Sequence, residues 1–277
     1  RKSARLYGEI WHTEGSPLLV YAQRQVAGLQ QRFGDAFRVE LGMTYGQPAM
    51  KSALGRLEAA GADRILVFPL YPQYSSTTTA SVYDAVFVAA AGAPHEHKRF
   101  VPALRVVPPF YAHPSYIAAL ADQISEAVKT WGQPPDHFVF SFHGIPARYA
   151  DTGDPYPAQC QVTAQRLADA LHLAADRWTL SYQSRFGPEQ WLKPATDAVL
   201  EALGGAGGKR IAVACPGFVA DCLETLHELG IEGKEQFERG GGQAADYLLT
   251  PCLNDNPLWL DTMADIVRQE SAGWLDG

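Results

Sequence analysis

Short runs of residues that are apolar on both faces alternate with helix-period segments along almost the whole chain. A strand wetted on one side alternates apolar with polar residues, so runs such as HFVFSFHG and RIAVACPGF must be covered on both sides. Parallel sheets flanked by helices meet that demand, and the pattern predicts an α/β protein. In order it predicts a helix near residues 16–33, a strand at 37–45 and a helix at 48–60. A strand at 63–71, a helix from Thr78, a strand at HKRFVPAL and a helix at 113–131 follow. The rhythm then restarts. Strands are expected at HFVFSFHG, WTLSYQSR, RIAVACPGF and ADYLLTPC with helices between them, and a last helix runs from Pro257 to about residue 271.

The second half contains four strand-helix units, whereas the first contains three strands and opens on a helix. Two similar half-domains built on parallel sheets are the economical reading, the first lacking its first strand. The expected division is residues 1–112 for the first lobe and 113–256 for the second, with the C-terminal helix at 257–277 returning to the first. The opening residue is Arg1 on a polar, helix-like stretch with no apolar signal-peptide core, which reads as a start inside a longer protein.

Composition excludes several classes of function. Twenty-three Lys and Arg against 30 Asp and Glu leave a net charge of −7, which lacks the basic face that nucleic-acid binding requires. No apolar run approaches the ~20 residues of a spanning helix. The four cysteines, Cys160, Cys215, Cys222 and Cys252, contain no C-x-x-C pair. A disulfide scaffold or zinc ribbon is therefore disfavoured, and a reducing cytoplasm fits best.

Ligands of open parallel sheets bind just beyond the carboxyl ends of strands, so those residues carry the functional expectation. His143 ends the run HFVFSFH and could act as a base or metal ligand, although a structural histidine fits the position equally well. Glu224, Glu228 and Glu232 recur every fourth residue and would share one face of a helix. They form either a solvated acidic face or a path for a divalent cation or protons, and Gly230 and Gly233 make regular helix uncertain past Leu229. Tyr71, Tyr74 and the hydroxyl run from Ser75 could cradle an anionic group or simply cap a helix. Arg185, with Tyr182 and Trp191, could hold a flat carboxylated ligand. His95 and His97 read as exposed loop residues, and His227 as a helix-surface residue.

SFHGIPARY, GDPYPAQC, SYQSRFGPEQWLKP, CPGFVADCLETLHELGIE, YLLTPCLNDNP, YPQYSSTTTAS and GMTYGQP, taken in order, resemble the ferrochelatase family, specifically the bacterial protoporphyrin ferrochelatases. The resemblance implies an α/β fold of two Rossmann-like lobes with four-stranded parallel sheets, the first lacking its first strand here, and a cleft between them, and it implies insertion of Fe(II) into protoporphyrin IX, the last step of haem synthesis. It implies transient peripheral contact with the inner membrane, a monomer rather than an obligate oligomer, and no nucleic-acid partner. It places the catalytic histidine on His143 and the catalytic glutamate on Glu224, with Glu228 and Glu232 continuing a proton or metal path. Tyr71, Tyr74, Ser75 and Arg185, read above as an anion cradle and a cationic rim, are then the candidates to bind the porphyrin.

Three departures accompany the resemblance. Cys222 stands where many relatives have histidine, two residues before the glutamate. Ser76 replaces the first cysteine ligand of a [2Fe-2S] cluster, and no cysteine follows Cys252, so no cofactor is expected beyond the Fe(II) substrate. The family's NLGTP-type opening strand and loop, part of the porphyrin-binding lip, precede nothing in this sequence, which implies weak porphyrin binding by residues 1–277 alone. A chelatase for cobalt or nickel, or a two-lobed tetrapyrrole binder without turnover, are the alternatives; haem formation from Fe(II) and protoporphyrin separates them.

Overall fold

A computed structural model of the protein describes residues 2–92, 95 and 98–274. The expected strand beginning at His97 and the final three residues of the 257–277 helix fall partly outside them. Ten α-helices are described: α1 (Lys2–Ile10), α2 (Pro17–Phe33), α3 (Met50–Ala59), α4 (Thr79–Ala91), α5 (Pro114–Trp131), α6 (Ala147–Asp151), α7 (Tyr156–Ala170), α8 (Thr196–Gly205), α9 (Lys234–Gly240) and α10 (Pro257–Glu270). A π-helix spans Leu223–Gly233. The strands are β1 (Arg64–Val67), β2 (Ala103–Val106), β3 (His137–His143), β4 (Trp178–Gln183), β5 (Ile211–Ala214) and β6 (Tyr247–Leu249).

β3–β6 form a parallel sheet of order β4-β3-β5-β6. Side chains alternate across it with the strand period of two. Phe138, Phe140 and Phe142 enter the layer of α5, α7 and α10, while Val139 enters the opposite layer with Leu200, Leu229 and Phe237. His143 and Gln183 are register partners at the carboxyl ends of β3 and β4. By the same alternation both project to the Val139 side, where α8 and the π-helix pack.

The first half of the chain departs from expectation. Its described sheet has two parallel strands, β1 and β2, rather than three. Residues 37–42 are extended but join no ladder. The Gln30 side chain of α2 holds them instead, accepting from the Val39 N–H at 3.0 Å and donating to the Phe37 carbonyl at 2.9 Å. These contacts satisfy backbone groups that a neighbouring strand would otherwise take.

α10 packs on both α2 and α5. Gly28 permits this approach, since a Cβ there would stand 2.6 Å from Leu260 Cδ1. Trp259, completely buried, centres an aromatic cluster with Phe68, Phe110 and Tyr116 at ring separations of 6.5, 5.6 and 5.8 Å. The main apolar core is therefore built from both halves of the chain.

Candidate active site

His143 is half-buried, and its Nδ1 lies 2.6 Å from the carbonyl oxygen of Gly144. A carbonyl only accepts, so Nδ1 carries the proton and Nε2 of the neutral ring keeps a free lone pair. Gly144 is required by its surroundings: a Cβ would meet the Gln183 carbonyl oxygen at 2.7 Å, and the Gly144 N–H donates to that same oxygen at 2.8 Å. Phe218 stands beside the imidazole, ring centres 6.4 Å apart.

The glutamate row begins where β5 hands over to the π-helix. Buried Asp221 anchors that junction, accepting from Thr225 Oγ1 at 2.9 Å and from Asn254 Nδ2 at 2.7 Å. Asn254 Oδ1 in turn accepts from the Asp221 N–H at 2.8 Å. The helix is closed by i→i+5 bonds. Its wider turn makes a four-residue step fall slightly short of one revolution, where the α-helix assumed from sequence overshoots it. Glu224, Glu228 and Glu232 still form a row, but the irregularity expected past Leu229 begins earlier, since the π-helix runs from Leu223.

Gln183 links the row to the histidine strand. Its Nε2 donates to the Glu224 carbonyl at 2.7 Å and reaches Glu228 Oε2 at 3.4 Å. Glu228 also accepts from the Ser184 N–H and hydroxyl, each at 2.5 Å. A cavity of about 790 Å³ is lined by Glu228 and Glu232 together with Arg185, Phe186 and Trp191. Arg185 is held by Asp197 at 2.5 Å, and the Phe186 and Trp191 rings stand 4.9 Å apart. Tyr182, Arg185 and Trp191 thus line one cavity within the second half of the chain, with the guanidinium already paired to Asp197.

From the first half, Tyr71 and Tyr7 stand near enough to Glu224 to feel its charge. Burial first, then Tyr45 and Glu224, raise the Tyr71 hydroxyl above its usual range, and burial followed by Glu224 does the same for Tyr7. Burial and Glu224 likewise push the Cys222 thiol well up, so Cys222 is a neutral neighbour of the glutamate.

Ser75 and Tyr74 are placed differently. Ser75 is completely buried and donates to Asp154 Oδ2 at 2.9 Å, while the exposed Ser76 donates to the same oxygen through N–H and hydroxyl, each at 2.8 Å. The Tyr74 N–H donates to Gln159 Oε1 at 2.7 Å. A carboxylate sits where an anionic ligand was expected, and the turn is tied to α7.

His227 corrects a second expectation. It is buried rather than on the surface, with Nε2 3.0 Å from Glu9 Oε2 and Nδ1 3.8 Å from Glu232 Oε1, because α1 covers the π-helix there. Among the described residues no group of three or more His, Cys, Asp or Glu is arranged as a ready-made metal cage. His95 is exposed, and His97 lies outside the described residues.

Sequence reading passed over Gln183, Ser184, Ser141, Asp221 and Asn254. The available signal was polar residues at alternate positions of an otherwise apolar strand, Ser181 and Gln183.

The ferrochelatase family model matches residues 1–271. The ferrochelatase of Chromobacterium violaceum is 45% identical over 100% of this chain and 75% of its own length. That of Photobacterium profundum is 44% identical over 99% of this chain and 82% of its own. Among solved structures, SirB from Bacillus subtilis with Fe3+ superimposes with a TM-score of 0.65 at 14% identity, over 94% of this chain and 93% of that one, a likeness of fold. On these matches the chain belongs to the ferrochelatase family.

Proposed function

We propose that the protein inserts Fe(II) into protoporphyrin IX to form protohaem, in the terminal step of haem synthesis. Family membership makes it a metal chelatase of the lyase class. The observation that carries the specific reading is the orientation of His143, whose Nδ1 is tied to Gly144 so that Nε2 of the neutral ring is the acceptor, on a strand whose register partner Gln183 bonds the glutamate helix.

Metal insertion requires two pyrrole protons to leave while the metal sheds water. His143 Nε2 accepts one proton or holds the incoming metal, and the Glu224 carboxylate accepts the other. Glu228 and Glu232 carry protons away from Glu224 along the row toward the cavity, or metal inward along the same row. Tyr71 and Arg185 flank the macrocycle, and the bonds that tie Tyr74 to α7 and Ser75 to Asp154 just before it hold the turn that presents Tyr71. We place the reaction in the cytoplasm, with a monomer touching the membrane transiently; no described helix is long and apolar enough to cross one.

The test is anaerobic incubation with Fe(II) and protoporphyrin IX, read as haem absorbance. Coproporphyrin is run beside it, and cobalt with a non-porphyrin tetrapyrrole as a further arm. Haem formation that disappears in His143→Ala supports the reading. Turnover confined to cobalt or to the other tetrapyrrole overturns it.

A further inference from the structure

The polar side chains on the π-helix side of β3 and β4 form one buried chain of hydrogen bonds. The hydroxyls of Ser181 and Ser141 each lie 2.8 Å from Thr196 Oγ1, and Ser141 Oγ donates to Gln183 Oε1 at 2.8 Å. Ser141, Ser181, Gln183 and Thr196 are all buried. Because Oε1 is engaged by Ser141, the amide cannot flip without losing that bond, and Nε2 is aimed at the π-helix. There it meets the Glu224 carbonyl and the Glu228 carboxylate at 2.7 and 3.4 Å.

Ser184 completes the grip. Its φ of +64° is one that few residues other than glycine, asparagine and aspartate adopt. In that conformation its N–H and its hydroxyl both reach Glu228, one to each carboxylate oxygen. All the donors from Gln183 and Ser184 are neutral. A lysine or arginine in their place would neutralise Glu228 and compete with an arriving cation or proton, whereas neutral donors orient the carboxylate and leave its charge available.

We infer that Gln183 is a positioning residue: with Ser184 it clamps the first turn of the π-helix to the end of β4, keeping Glu224 and Glu228 in one row beside His143. A π-helix is a rare geometry at functional sites, and return to α-helical register would rotate Glu228 away from Ser184. The catalytic consequence rests on the chelatase reading above, whereas the clamp itself does not.

The test uses Gln183→Met, which keeps side-chain length and removes both ends of the amide, beside Ser184→Ala at a half-buried position. In Gln183→Met, kcat for haem formation should fall by about 10-fold to 100-fold, as expected for displaced catalytic groups. KM for protoporphyrin should change by less than about twofold, because binding away from the reacting atoms is retained. Amide hydrogen exchange across residues 223–233 should quicken by about tenfold while β3 and β5 stay protected. Ser184→Ala should show the same pattern in smaller degree, and it carries the measurement if Gln183→Met does not fold. Gln183→Glu, which can still accept from Ser141, should not rescue turnover. Unchanged exchange across 223–233, or unchanged kcat in both variants, overturns the inference. A wild-type protein without chelatase activity overturns the proposed function, and the exchange experiment still decides the clamp.

Discussion

The Nδ1 of His143 points back to the carbonyl of its own neighbour, Gly144, at 2.6 Å, so the chain fixes which ring nitrogen is free. No carboxylate is needed to set the tautomer. His143→Ala should therefore abolish metal insertion while porphyrin still binds. Porphyrin fluorescence quenching measured beside haem formation checks both halves, and near-wild-type turnover would remove His143 from the chemistry.

Gly144 is as constrained as the histidine it follows. Gly144→Ala would press a methyl to 2.7 Å from a backbone oxygen of β4. Overpacking of this kind costs about 1–3 kcal/mol. Urea denaturation should show a lower midpoint at unchanged slope, with activity reduced as well because the β3 and β4 ends move apart.

The glutamates should separate by position. Glu224→Gln should remove most turnover, whereas Glu232→Gln should be mild, since Glu232 retains 58% side-chain exposure and water can replace it. Equal harmlessness of the two in a haem-formation assay would reduce the row to a solvated face.

His137, buried at the start of β3 with Nε2 2.9 Å from Thr179 Oγ1, gives a pH signature unrelated to catalysis. Burial first, then the charges of Lys209 and Arg177, lower its pKa from 6.5. The folded state then binds fewer protons than the unfolded state, so this contribution is present above pH ~6.5 and is lost as pH falls from there toward the depressed folded value. Urea-unfolding free energies at pH 7 and pH 5.5 should differ less in His137→Gln than in wild type. An identical difference would show that another group carries the slope.

Ser76 donates to Asp154 through both N–H and hydroxyl, and the buried Cys252 lies near Asp221, which raises its thiol further after burial itself. Purified protein should lack iron–sulfur absorption in the visible range. Two irons and two labile sulfides per chain would contradict that.

The second sheet was legible because both of its faces are apolar, which only a two-sided helical cover explains. The first was read one strand too rich. Phe37 and Val39 alternate as a strand should, and nothing local announces that Gln30, on a helix, will take their backbone groups. The glutamate row was visible as a spacing, but the choice of π over α register depends on Gln183, Ser184 and Asp221, which meet it only in three dimensions. His227 was misjudged for the same reason, since its partner Glu9 lies 218 residues away. His143 was found because a strand end followed by glycine is a local signal, and its free nitrogen became visible only with the Gly144 contact.

The aromatic cluster around Trp259 belongs to neither half of the chain alone. Phe68 and Phe110 come from the first part, Tyr116 from the join, and Trp259 from the last helix. Hinge motion between two lobes needs an interface that can slip, and a shared close-packed core does not. The ends of β3 and β4 and the carboxylate helix are therefore carried on a core that both halves of the chain share, so their mutual spacing is fixed by packing.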